Sequence, residues 1–440
     1  MKKIYITILI SFLFITVIAQ QTNNSKDFNN IVKEVENQYK DKDKGKGTGY
    51  KQFKRWEQYV KNRLDENGLR INTSAMAFTA YENIKKGEPF DNPKSNGYWT
   101  ELGPDTWTNT SGWNPGNGRI NEIAFHPSNS NIYYAGASGG GLWKTLDGGS
   151  SWMTITDGMP NLAISGIAVS HTNPNTIYIL TGDGDSDDLV SIGVLKTTDG
   201  GSSWTRTGLT FGRDDIIFGT ELKMNSINSE ILIATTSVGI YRTEDGGDIW
   251  QHVQNGLFYD IEFCPANPDT VYASKGNSIY TSSNGGILWS QSINVAELDD
   301  KPRIELAVTP ANPNKVYAVL GEKPGYRGLL ISSNRANDWV QHTDSPNILA
   351  YDTSGLLNST QAHYDLAIEV SQTDEDNIFV GGINIWESID GGDNWEISTH
   401  WRENWHMHEY VHADIHELIF NGDVLYAGCD GGIFRTTNGG

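Results

Sequence analysis

The sequence predicts an all-β fold, a β-propeller of seven blades, preceded by a short helical segment. Three observations carry that expectation: a turn motif that recurs seven times, a repeat period of about 40–50 residues, and a high content of glycine and tryptophan. The motif reads Ser/Thr-x-Asp/Asn-Gly-Gly-x-x-Trp. Its Asp/Asn positions are Asp147, Asp199, Asp245, Asn284, Asn334, Asp390 and Asn438, with steps of 52, 46, 39, 50, 56 and 48 residues. The 440 residues include 47 Gly and 14 Trp, a composition suited to many tight turns between short strands.

From the N-terminus, Met1-Lys2-Lys3 is a basic start and Ile4 to Ile18 an almost unbroken apolar run, followed by Ala19. That run is short for a membrane span and reads as a secretory signal peptide over 1–19. Export to the medium or the cell surface is therefore expected, with no membrane span in the remainder. Residues 20–97 read as a helical lead-in and linker. Phe28, Ile31, Val32, Val35 and Tyr39 recur at helical spacing, as do Phe53, Trp56, Val60 and Leu64. Lys40 to Gly49, charged and glycine-rich, reads as a solvated connector between them. Only Cys264 and Cys429 enter the oxidising space, so no disulfide framework staples the fold. They fall in blades four and seven, and no bond between them is expected.

The propeller spans 98–440. Each unit opens on an Asn-Pro-type turn, Pro265 to Tyr272 and Pro310 to Tyr317 being the clearest, with related forms at His126 to Tyr133 and His171 to Tyr178. Asn, Asp and Pro favour the turn, and the Val/Ile-Tyr that follows begins a strand. In the Asp-Gly-Gly unit, the Asp or Asn accepts backbone N–H bonds and the glycines tolerate positive φ. The leading hydroxyl ties the turn to its strand, and the Trp buries a large apolar area between neighbouring sheets. Seven copies of one turn are scaffold; a site needs residues that do not repeat. In the fifth copy Arg335-Ala336 replace the glycines. The seventh copy meets the end of the chain, so the last blade is expected to be truncated or to be completed by the strand around Trp99.

These units resemble the Asp-box, or BNR, repeats of β-propellers in sialidases, xyloglucan-cleaving endoglucanases, sortilin-type receptors and many secreted bacterial proteins. The resemblance covers Trp99 to Gly440 and speaks to fold more than to activity. Gly47 to Gly68 is similar to the start of exported Bacteroidetes propellers, many of which carry a C-terminal sorting domain for type IX secretion; that route is implied if such a domain follows this chain. The sialidase branch is disfavoured, because no Phe/Tyr-Arg-Ile-Pro segment is present.

Net charge is −21, which disfavours a nucleic-acid partner, since such binding rests on Lys/Arg neutralising phosphates. A monomer that binds a polysaccharide or a peptide fits better. Four sets of residues are candidates for chemistry. His412, Asp414 and His416 alternate; on a strand they would share a face and offer a zinc-type ligand set, the alternative being a polar channel-lining strand. Asp430 lies in Tyr426 to Gly432, which looks like the strand end that carries a catalytic Asp in xyloglucanases; it also fits a plain turn aspartate. Asp414 is the second catalytic candidate. Asp183, Asp185 and Asp187 alternate in a loop that can wrap calcium or simply be solvated. Glu122, Asp260 and Glu305 align on the innermost strands and would line an acidic channel. The leading functional expectation is a secreted binding module for glycan or peptide; the alternative is a xyloglucanase-like glycoside hydrolase.

Overall fold

A computed structural model describes residues 28–42, 44, 50–65, 71, 73–87, 116–159, 161–186, 189–212, 215–295, 302–322, 325–342, 344–402 and 408–438. The signal-peptide segment and Trp99 lie outside the described residues, as do Trp107, Trp113, Trp405 and His406. The chain forms two compact units, Met1–Met76 with Gly212–Ile216, and Ala77–Phe211 with Ile217–Gly440.

Both expected helices form, α1 over Phe28–Gln38 and α2 over Tyr50–Lys61, and a third, α3, follows over Thr73–Gly87. The two apolar stripes meet: the Phe28 and Trp56 rings lie 5.7 Å apart. No helix among the described residues is long and apolar enough to cross a membrane.

The rest is a seven-bladed propeller. Its inner strands are Ile120–Phe125, Ile164–Val169, Gly219–Met224, Ile261–Phe263, Arg303–Val308, Ala367–Val370 and Ile415–Asn421. Each blade is an antiparallel meander. Blades one to five have four strands; blade six adds Glu409–Tyr410 parallel to its fourth strand, and blade seven has three among the described residues. Inner strands of adjacent blades approach so closely that a Cβ on Gly166 would stand 2.6 Å from the Leu222 nitrogen.

The Asp-Gly-Gly turns are built from one set of bonds. In the first, Thr145 Oγ1 lies 2.9 Å from Asp147 Oδ1 and accepts the Gly149 N–H at 2.9 Å, while Asp147 Oδ1 accepts the Ser151 N–H at 2.8 Å. Asp199, Asp245, Asn284, Asn334 and Asp390 repeat this pattern. Asn438 keeps the hydroxyl contact, with Thr436. The tryptophans are half-buried, Trp395 fully. Trp204 donates to the Ile155 carbonyl and Trp339 to Ser292, each reaching the preceding blade.

A second latch joins consecutive blades. A cation on the third strand donates to a glycine carbonyl in the next blade's turn: Lys144 to Gly200, Lys196 to Gly246 and Arg242 to Gly285. Arg435 of blade seven does the same to Gly148 of blade one at 3.2 Å. Tyr426 packs at 4.9 Å from Phe125 and 5.4 Å from Tyr133. Blade seven thus closes directly onto blade one. Cys264 and Cys429 are both buried and unbonded.

The fifth turn keeps its shape without glycine. Arg335 and Ala336 sit at φ 59° and 61°, where a Cβ crowds the carbonyl at a cost of about 1–2 kcal/mol per residue. Arg335→Gly should therefore raise stability by about 1 kcal/mol in urea unfolding. No gain would mean that the lost Arg335–Asn314 bond of 2.9 Å offsets the relief.

Candidate active site

Antiparallel strands reverse at every turn. The Asn-Pro and Asp-Gly-Gly turns therefore share one face of the ring. Loops from second to third strands, and from fourth strands to the next inner strand, share the other. Every non-repeating candidate among the described residues lies on that second face or in the channel below it.

The channel is a cavity of ≈ 280 Å³. Glu122, Asp260 and Glu305 line it as their alignment predicts, joined by Glu221, Glu262, Glu369 and Glu417. Glu221 escaped that alignment because the turn of blade three, Asn225-Ser226-Ile227-Asn228, carries no proline. Lys223 bridges Glu221 at 2.6 Å and Glu262 at 3.0 Å. Burial, reinforced by neighbouring carboxylates, pushes up Glu122, Asp260, Glu262, Glu305, Glu369 and Glu417. Glu122 and Glu369 reach about 8 and Glu305 about 7, while Asp260 and Glu417 lie well above the usual range.

At the mouth, His416 sits between two carboxylates. Its Nδ1 is 2.9 Å from Asp185 and its Nε2 3.1 Å from Asp430. Burial opposes its charge, but these two bonds prevail and raise it to about 9. Arg303 binds the other oxygen of Asp185 at 2.9 Å and also Glu305. Asp185 is half-buried, and although desolvation opposes its charge, Arg303 and His416 hold it well below the carboxylate range. Tyr364 donates to Asp430 at 2.9 Å, its ring edge-on to His416 at 4.8 Å. Burial favours a proton on Asp430, but His416 and Tyr364 outweigh it and keep the group ionised. Asp414 has the opposite bias: burial and the Asp430 charge raise it. Gln361 Nε2 donates to Asp414 Oδ1 at 3.1 Å. Both aspartates are partly exposed, as a group that meets a ligand must be.

Two expectations change. His412, Asp414 and His416 do not share a strand face, because the inner strand begins at Ile415 and Asp414 has φ 65°. The His412 ring instead meets the Ala413 carbonyl and Gly431. Both His416 nitrogens are already engaged, so the three do not gather as a zinc set. Among the described residues, the acidic group whose ligand atoms do gather is Glu221, Asp260 and Glu262, and Lys223 already bridges two of these. In the acidic loop, Asp183 is bound by Arg119, Asn121 and Ser186, and Asp185 by Arg303 and His416. Asp187 lies outside the described residues.

Arg119, Arg303, Gln361, Tyr364 and Asp365 carry no motif that marks them in the sequence. One signal was present: the longest step between turns, 56 residues from Asn334 to Asp390, holds the loop that delivers Gln361, Tyr364 and Asp365.

The molecule is thus a seven-bladed β-propeller with a charged, carboxylate-rich site at one mouth of its channel. No family model matches the chain. Its similarity to curated proteins runs to xyloglucanases. It is 25% identical over 343 residues to xyloglucanase Xgh74A of Acetivibrio thermocellus, covering 65% of this chain and 39% of that protein. It is 23% identical over 336 residues to a probable oligoxyloglucan-reducing end-specific xyloglucanase of Neosartorya fischeri, covering 64% and 40%. The chain spans about two fifths of the length of these relatives. Among solved structures, the GH74 xyloglucanase of Xanthomonas campestris superposes with a TM-score of 0.54 at 18% identity, over 74% of this chain and 52% of that one.

Proposed function

We propose that this chain is a glycoside hydrolase acting on a xyloglucan-type polysaccharide, with Asp414 as general acid and Asp430 as general base. One observation carries the reading. Two partly exposed aspartates meet at one mouth, and their surroundings drive their protonation in opposite directions; such a split is how a pair of like groups acquires acid and base roles. The similarity to xyloglucanases supports the choice of substrate. Asp414 gives its proton to the glycosidic oxygen as the bond to the anomeric carbon breaks. A water adds to that carbon and loses a proton to Asp430, which His416 and Tyr364 hold ready as an anion.

The repeated turns are read as Asp-box hairpins, and Met1 to Ala19 as an export signal that brings the enzyme to its polymer. The test is reducing-sugar release from xyloglucan, set beside cellulose and mannan. Retention of xyloglucan or a peptide without release would instead make the propeller a binding module.

A further inference from the structure

Asp185, His416 and Asp430 form a chain of bonds across the mouth. Asp185 Oδ2 lies 2.9 Å from His416 Nδ1, and Asp430 Oδ1 lies 3.1 Å from His416 Nε2. Exposure is graded along the chain: the His416 side chain is fully buried, Asp185 is 15% exposed and Asp430 29%. Asp430 is therefore the end that meets a ligand. Asp185 has its other oxygen occupied, because Arg303 Nη1 donates to Oδ1 at 2.9 Å. The same nitrogen donates to the Tyr364 carbonyl at 3.3 Å, and the Tyr364 hydroxyl donates to Asp430. Both side chains that donate to Asp430 are thus anchored, directly or through Asp185, on one buried guanidinium.

A neutral imidazole has one N–H and one bare nitrogen, whereas an ionised carboxylate only accepts. Asp430 alone does not require a charged ring, since an N–H on Nε2 with a bare Nδ1 would serve it. A second carboxylate at Nδ1 changes this. With an acceptor at each nitrogen, the ring satisfies both only as the imidazolium. We propose that Asp185 is a positioning residue for the base: through its bond to Nδ1 it keeps the His416 ring charged and aimed at Asp430, and so keeps Asp430 free of a proton. The inference rests on the base role given to Asp430 above.

The directions of titration agree, with His416 raised and both Asp185 and Asp430 lowered against the pull of burial. The other charged groups around the ring are divided. Asp365, from the loop entering blade six, and Asp414, beside the ring on its own segment, are acids and favour the imidazolium. Arg303 of blade five and Arg119, which lies against the same Tyr364 ring, are cations. Each cation carries a further carboxylate, Glu305 and Asp183. Asp185 is the acid in direct contact with Nδ1, and that contact sets it apart from the rest.

The test uses the full chain and the isosteric variant Asp185→Asn, which fills the same space without the charge. The acidic limb of the kcat/KM profile on xyloglucan reports the base. It should move up by about one pH unit, a tenfold loss of ionised Asp430 at a given acid pH. A merely structural loss would lower the rate at every pH and leave the limb in place. NMR titration of the His416 ring gives a readout that needs no activity: its value of about 9 should fall by about 1–3 pH units, the usual effect of an opposite charge in contact. An unmoved limb, or a His416 titration indifferent to Asp185→Asn, overturns the proposal. A lowered His416 titration in a protein that cleaves no polysaccharide upholds the link from Asp185 to the ring and overturns the hydrolase reading. Should Asp185→Asn fail to fold, the wild-type ring decides. Both His416 nitrogens must carry protons at about pH 7.5, above the ordinary histidine value of about 6.5, and one bare nitrogen overturns the proposal.

Discussion

Asp414→Asn and Asp430→Asn should each lower reducing-sugar release from xyloglucan by about 10²–10⁴-fold, the usual worth of a positioned acid or base. The two losses should differ in kind. Without the Asp414 acid, a good leaving group departs unaided, so an aryl glycoside with an acidic phenol should recover most of the rate. Without Asp430, water is no longer deprotonated as it attacks, and a better leaving group should not restore the rate. Both variants keep the fold, because the side chains are partly exposed and the substitutions isosteric. Asp430→Asn also removes the anion that His416 and Tyr364 address, so the His416 titration should fall from about 9. Full activity in either variant would remove that residue from the mechanism, and full activity in both would dispose of the hydrolase reading of this mouth.

The second large effect is on stability, and the channel causes it. Glu122 and Glu369 titrate near 8 in the folded protein, against about 4.5 when solvated, and Glu305 near 7. Between those values the native state holds protons that the unfolded chain has released. Stability from these groups is therefore fully present below about pH 4.5 and is lost as pH rises through 7 to 8. His416 acts in the same direction, since its native value of about 9 lies above the ordinary 6.5. Asp185 and Asp430, held low, oppose the trend only in acid. A tenfold difference in proton affinity between folded and unfolded chain corresponds to about 1.4 kcal/mol, and water in the channel screens part of it. The melting temperature should fall by roughly 5–10 °C between pH 5 and pH 9. Replacing Glu122 and Glu369 by Gln removes two of the groups that must ionise. The double variant should lose much of the slope and gain stability at pH 9. An unchanged slope would place the protons elsewhere than the channel.

Why was the scaffold legible and the site only half so? The Asp-Gly-Gly turn is a local object. Hydroxyl, carboxylate, glycine and tryptophan lie within eight consecutive residues, and the bonds from Asp147 to Ser151 and from Thr145 to Gly149 span four positions. Such a unit prints itself on the sequence each time it occurs. Asp430 was visible for a similar reason, at a strand end next to two glycines. Glu122, Asp260 and Glu305 were visible because repeats impose a register. The reading of His412, Asp414 and His416 failed at one backbone angle. Alternation holds only on a strand, and at Asp414 the chain has not yet entered one.

What the residue order fixed by itself is the ring: seven copies of a short-range turn, a period that makes each copy a blade, and side chains such as Arg435 that repeat the latch onto the next turn. The site was decided by closure of that ring. Arg119 and Asp183, Asp185 and Arg303, His416 and Asp185, and Tyr364 and Asp430 are separated by 64, 118, 231 and 66 positions. They meet because loops on one face of neighbouring blades converge around one axis. The charge state of each depends on burial and on partners that no local pattern records. Their protonation, and with it any division into acid and base, is a property of the assembled ring.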